Sequence, residues 1–164
     1  MLLRTEVIYH CEPEFYLEQY FDGDGRSERE VEGCGNLSFT VVETRRDGEV
    51  WSHVAESVSR IEAPLPVRKI LGENTRMEEH ASWRRSTNTI DVEYVPDTLR
   101  KRISIKGHIR VGPAGEGNCR VLVEVDVIFK IFGVGGLLEK LSAREMPKAI
   151  TADCAYFNEH MAPK

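Results

Sequence analysis

Residues 134–161 read VGGLLEKLSAREMPKAITADCAYFNEHM, and this stretch decides how the rest of the chain must be arranged. Apolar side chains fall at Val134, Leu138 and Leu141, then at Met146, Ile150, Cys154, Phe157 and Met161. Steps of three and four residues within each half place them on one face of an α-helix. The step from Leu141 to Met146 is five, and Pro147 follows, so the pattern predicts a bend over Ser142–Pro147. A helix of about 28 residues at 1.5 Å rise is roughly 42 Å long, more than the core of a small domain spans. It needs a broad surface to lie on, and a sheet is the surface the remaining sequence offers.

The strand directly before this helix, Cys119–Ile131, alternates best: Val121, Val123, Val125, Val127, Phe129 and Ile131 share one face. Gly133, Gly135 and Gly136 form the pivot between strand and helix. Working back, Lys101–Val111 puts Ile103, Ile105, Ile109 and Val111 on one face, and Gly112–Asn118 is a glycine-rich loop. Thr89–Val95 and Thr75–Ser86 are strands joined by a turn at Asn88. Glu62–Gly72, with Pro64 and Pro66, reads as a connection holding at most a short helix. Asn36–Arg46 and Glu49–Ile61 form a hairpin around Asp47-Gly48, a strong turn signal. At the start, Leu2–His10 is a strand with Leu3, Thr5, Val7 and Tyr9 on one face. Glu12-Pro13-Glu14 then opens a short helix whose sticky side is Phe15, Leu17 or Glu18, and Phe21. Residues 22–35, opening with Asp22-Gly-Asp-Gly, read as a mobile loop with at most a helical turn. The order is strand, short helical region, six strands, long helix. Neighbouring strands on short turns make an antiparallel meander of seven strands, and strands this long curl, so the helix closes the concave side of an α+β two-layer fold.

With 164 residues, 41% hydrophobic and 30% charged, the chain suits one soluble domain, 1–164, with a core of its own. A net charge of −5 argues against nucleic acid as a partner, and Arg100-Lys-Arg102 is too short a basic run to reverse that. No apolar stretch reaches the roughly 18 residues of an integral membrane segment. The charged start, MLLRTE, is unlike a signal peptide, so a cytoplasmic location is expected. Cys11, Cys34, Cys119 and Cys154 form no Cys-x-x-Cys pair and read as buried thiols rather than zinc or redox ligands. No pair of histidines has metal-ligand helical spacing, and no motif calls for a cofactor.

This element order, with VDVIFKIFGVGGLLEKL at 125–141, resembles the helix-grip fold of the START-like, or birch-pollen-allergen-like, superfamily. The likeness runs over nearly the whole chain, Leu3 to Met161. Lipid-transfer domains, plant hormone receptors and polyketide cyclases belong to that superfamily, and the resemblance implies an apolar cavity between sheet and helix holding a hydrophobic small molecule or lipid. The chain departs from the pattern at one place: the usual two helices after the first strand reduce to one, plus the loop 22–35.

Strand parity nominates the residues that face such a ligand: Met77, Glu79 and Trp83 on one strand, Val125 and Phe129 on another, and Leu138, Leu141, Met146, Ile150 and Phe157 on the helix. Glu79 is the odd one, a carboxylate sharing its face with Met77, Ala81 and Trp83. Either it contacts a ligand or acts as an acid/base with raised pKa, or it lies near the sheet edge, solvated or paired with an arginine; the second is favoured. The strand 49–61 leaves its inward face open between Val50, Ser52, Val54 and Trp51, His53, Ala55. If the Trp51 side is inward, His53 becomes an interior polar group and a second acid/base candidate, although a structural or exposed histidine is the commoner case. His80 and His108 share faces with charged residues and are expected in solvent. Three functions follow: a carrier for an apolar ligand, which is the leading one and non-enzymatic; a cyclase- or aromatase-like enzyme using Glu79 or His53; and a solidly packed interaction module without a cavity. In the first two, the bend at Pro147 would gate the ligand.

Overall fold

The computed structural model describes all of residues 1–164. Its strands are β1 (Leu2–Tyr9), β2 (Ser38–Asp47), β3 (Val50–Arg60), β4 (Asn74–Arg84), β5 (Thr89–Pro96), β6 (Ile103–Pro113) and β7 (Cys119–Phe129). Its helices are α1 (Pro13–Tyr20), α2 (Gly23–Glu28), α3 (Leu65–Leu71) and α4 (Gly135–His160). The seven strands form one curled antiparallel sheet in the order β1-β7-β6-β5-β4-β3-β2, and α1, α2 and α4 all pack on one face of it. The architecture is the helix grip, α+β, with the long C-terminal helix across the sheet.

The strands form where alternation demands them. On β7, Cys119, Val121, Val123, Val125 and Val127 are buried and face the helices, while Arg120 and Asp126 point to solvent. The β2–β3 turn is Gly48-Glu49, one residue beyond the Asp47-Gly48 pair, because Asp47 still pairs with Val50. Gly48 has φ 56° in the first turn position, as a type II′ hairpin requires. On β3, His53 and Ala55 are buried, so the Trp51 side is the inward one.

The region 22–35 is the main correction to the sequence reading. It is not a loop: α2 runs directly into a π-helical turn, Arg29–Gly33, and packs against β2 and α4. Two helices therefore follow β1, as in the superfamily pattern. The sticky side of α1 includes the expected Leu17 and Phe21, with Phe15 half-buried against the core, and adds the buried Tyr16 and Tyr20. The long helix α4 is continuous through Pro147. That proline has no N–H for the Ala143 carbonyl, and the Ser142 hydroxyl donates to the Leu138 carbonyl at 2.9 Å.

Two hydrophobic clusters hold the layers together. The main one has 20 buried residues, among them Tyr9, Tyr16, Tyr20, Phe21, Trp83 and Phe157. The second is small: Val67 of α3, Val134 and Leu138, with Leu71, Phe129, Ile131 and Leu141 against them. An open groove of about 970 Å³ crosses the outer, polar face of the sheet, and a hollow of about 370 Å³ lies at one end of β5, β6 and β7.

Candidate functional site

Beneath the aromatic core runs a chain of buried charge. Ala55 of β3 and Tyr94 of β5 flank Glu79 of β4 in register, so all three face inward. His53, two residues from Ala55 on the same face, brings Nε2 to 2.7 Å from Glu79 Oε1. Arg26 of α2 meets the carboxylate from the other side, Nη1 to Oε1 at 3.3 Å and Nη2 to Oε2 at 3.1 Å. Its Nη2 also donates to Glu30 at 2.9 Å, and its guanidinium stacks on the Tyr20 ring at 4.0 Å. Residues Arg26, His53 and Glu79 are at most 5% exposed.

A second pair lies nearby. Arg29 holds Asp153 of α4 through Nε at 2.8 Å and Nη2 at 2.6 Å, and Tyr9 donates its hydroxyl to the same carboxylate at 2.5 Å. Arg29 rests 5.3 Å from the Phe157 ring centre. Through this pair α2 is tied to α4 across the top of the core.

The electrostatics follow from burial and partnering. Burial alone would raise the Glu79 pKa, but the Arg26 charge and the His53 hydrogen bond outweigh it and hold it down to about 2. Glu79 is thus an ionised anchor, and an acid/base role with raised pKa does not fit it. Asp153 is likewise lowered: burial opposes ionisation, and Arg29 overcomes it. Tyr20 and Tyr94 are pushed up, first by burial and then by the Glu79 charge, so both phenols stay protonated.

His53 is the group left with chemistry to offer. The ionised Glu79 accepts from Nε2–H, which leaves Nδ1 as the free ring nitrogen, buried and without a partner in the protein. Its ring stacks on Tyr20 at 5.9 Å and lies 5.1 Å from Phe21. A carboxylate that fixes one imidazole nitrogen and frees the other is the arrangement of a general base. Tyr20 Oη, Arg29 Nη1 and Thr5 Oγ1 are also buried without protein partners, all in the layer between sheet and helices.

Strand parity brought Glu79 and His53 forward separately, and the fold places them in contact. Among the apolar nominees, Trp83, Val125 and Phe157 lie in the main core, with Phe129, Met146 and Ile150 packed against it. Leu138 and Leu141 belong to the small cluster, and Met77 is half-buried in neither. Arg26 and Arg29 were missed because the polar stretch GDGRSERE shows no apolar period, and Tyr20 because the face of α1 was read through Phe15, Leu17 and Phe21. Asp153 carried a legible signal: it lies three residues after Ile150 and four before Phe157, inside the apolar stripe. His80 and His108 are exposed on the outer face. No three His, Cys, Asp or Glu side chains are grouped to hold a metal ion, and no helix is long and apolar enough to cross a membrane.

The fold is similar to that of a START superfamily protein, an aromatase/cyclase and a major latex-like protein among solved structures. The chain belongs to the family described as Protein of unknown function (DUF2505), whose model matches residues 6–161. No curated protein matches the sequence. Among solved structures it is similar to the Thermus thermophilus protein TTHA0849, with 20% identity over 97% of this chain and 95% of that one, TM-score 0.66. A START superfamily protein from Mycobacterium smegmatis shares 14% identity over 95% and 98% of the two chains, TM-score 0.64. The Zhui aromatase/cyclase of a Streptomyces species shares 9% over 96% and 94%, TM-score 0.67. At these identities the likeness is one of fold.

Proposed function

We propose that the chain binds a hydrophobic small molecule or lipid between the sheet and α4, and that the buried Arg26–Glu79–His53 network receives the ligand's polar end. The observation that carries this reading is a pair of neighbouring unpartnered atoms, His53 Nδ1 and Tyr20 Oη, on rings stacked at 5.9 Å beside Glu79. A buried polar atom left unpaired costs about 1–3 kcal/mol, so this pair is an expense that a ligand's hydroxyl, carbonyl or carboxylate would offset. Around them the tyrosines, Phe21, Trp83 and Phe157 supply apolar surface, where each buried methylene is worth about 0.8 kcal/mol. Space for the ligand comes from parting the small cluster at α3 and the start of α4 from the main core. Native mass spectrometry after mild extraction, followed by thermal shift against a panel of lipids and polyketide-like aromatics, tests the proposal. A bound apolar molecule whose affinity falls in His53→Ala supports it; no retained or stabilising ligand in the whole panel removes it.

The His53–Glu79 pair favours a second reading, an acid–base enzyme of the cyclase kind on the same scaffold. His53 Nδ1 would take a proton from a substrate carbon or hydroxyl, and Glu79 would stabilise the imidazolium. Turnover of a ligand found by the first experiment, lost in both His53→Gln and Glu79→Gln with binding retained, distinguishes this from a carrier.

A further inference from the structure

We propose that the end of the molecule built from α3, the 97–102 loop and the hinge before α4 is a docking surface for an anionic lipid bilayer. Phe132 is 100% exposed, and Leu65, Ile70 and Leu137 are 55%, 41% and 37% exposed beside it. These residues share one end because Val67 of α3 packs on Val134 and Leu138, and the Lys130 N–H donates to the Arg102 carbonyl at 2.7 Å. Gly133, at φ 83°, makes the turn that leaves Phe132 projecting.

Charge completes the argument. The chain carries −5 overall, yet its segments 62–73, 97–102 and 130–140 hold seven basic residues against four acidic ones. Of Arg68, Lys69, Arg100, Lys101, Arg102 and Lys130, all exposed, Arg100 alone forms an ion pair, with Glu78. An apolar projection ringed by free cations matches a bilayer whose acyl region takes the aromatic and aliphatic side chains while anionic headgroups take the charges. A protein partner would need a groove for one fully projecting phenylalanine, and a nucleic acid would leave the aliphatic residues in water. The surface is distinct from the buried site and does not depend on it.

Sedimentation with vesicles tests this, using phosphatidylcholine alone and phosphatidylcholine mixed with phosphatidylglycerol. The full chain is expected to sediment with the mixed vesicles only, and to be released by high salt. Phe132→Ser, and separately Lys101→Glu with Arg102→Glu, should each weaken that association about tenfold or more while leaving the melting temperature unchanged, since these side chains are exposed. Failure of the wild type to sediment with mixed vesicles, equal sedimentation with both kinds, or unchanged sedimentation of the two variants would overturn the proposal. So would a dimer in light scattering that Phe132→Ser dissolves, which would give the surface to a second copy of the chain.

Discussion

Glu79 sits in the middle of a buried chain of charge, with Arg26 on one side and His53 on the other. Breaking such a pair from one end leaves the other charge uncompensated, at a cost of about 3–5 kcal/mol. Glu79→Gln should fall near the low end, about 3 kcal/mol in urea denaturation, because Arg26 keeps Glu30 and the amide still reaches His53. Adding Arg26→Met together with Glu30→Gln should recover part of the loss, since the arginine and both of its carboxylate partners are then gone; a triple variant less stable than Glu79→Gln would show that the arginine contributes chiefly through its stacking on Tyr20. The same pair sets an acid response. Glu79 is held at about 2 against an ordinary 4.5, so its stabilisation is full above about pH 4.5 and drains away as pH falls towards 2. Asp153, also lowered, acts in the same direction, while Glu30, raised by burial, opposes them. The urea midpoint should therefore drop across that window in the wild type and less steeply in Glu79→Gln. Parallel profiles would mean that Glu79 is not the group being titrated. Residue by residue, what sequence could deliver was parity: it put Glu79 on the core face and allowed His53 there. It could not deliver Arg26, whose reason for being buried stands 53 positions away on another element.

Elements were legible in proportion to their apolar period. The strands β6 and β7 and the helix α4 follow from alternation and from three-four spacing, because one face of each is buried against apolar neighbours. The α2 helix and its π turn bury Arg26 and Arg29 instead, and such a helix has no apolar stripe to read; its stability comes from carboxylates on β4 and α4. The glycine hinge was legible as a hinge, but its three glycines turn out to do different things. Gly133 needs its positive φ. Gly135 lies where a Cβ would come within 2.5 Å of the Phe129 carbonyl oxygen, so the strand end and helix start approach too closely for a side chain. Gly136 faces open space in the first helical turn. Adjacent substitutions should therefore have opposite signs. Gly135→Ala is expected to destabilise the protein by about 1–3 kcal/mol through backbone displacement, and Gly136→Ala to stabilise it by up to about 1 kcal/mol through helix propensity. Thermal melts of the two variants decide it; equal shifts in one direction would mean that the hinge relaxes as a unit.

As a whole molecule the chain has one large core and one small one, joined at Phe129, which packs against both. The large core unites β1, α1, β4–β7 and the second half of α4. The small core holds α3 and the first turns of α4 with three buried side chains, Val67, Val134 and Leu138. Stability drawn from so few buried groups is local, and the segment they hold should open without unfolding the sheet. Native-state hydrogen exchange is expected to separate the two: amides of 67–71 and 135–141 should exchange through openings that cost about 2 kcal/mol or more less than those of Val121–Val127. Denaturant should accelerate the β7 amides and leave the α3 amides nearly unaffected, because a small opening exposes little surface. An apolar ligand that enters by this route would slow exchange at α3 and the start of α4 more than in the sheet. Leu138→Ala would widen the gap by weakening the small core alone, at a cost of about 2–5 kcal/mol confined to that end. Uniform protection across both clusters, or a Leu138→Ala effect spread evenly over β7, would mean that the helix and sheet open only together, and access to the buried Arg26–Glu79–His53 site would then require global unfolding.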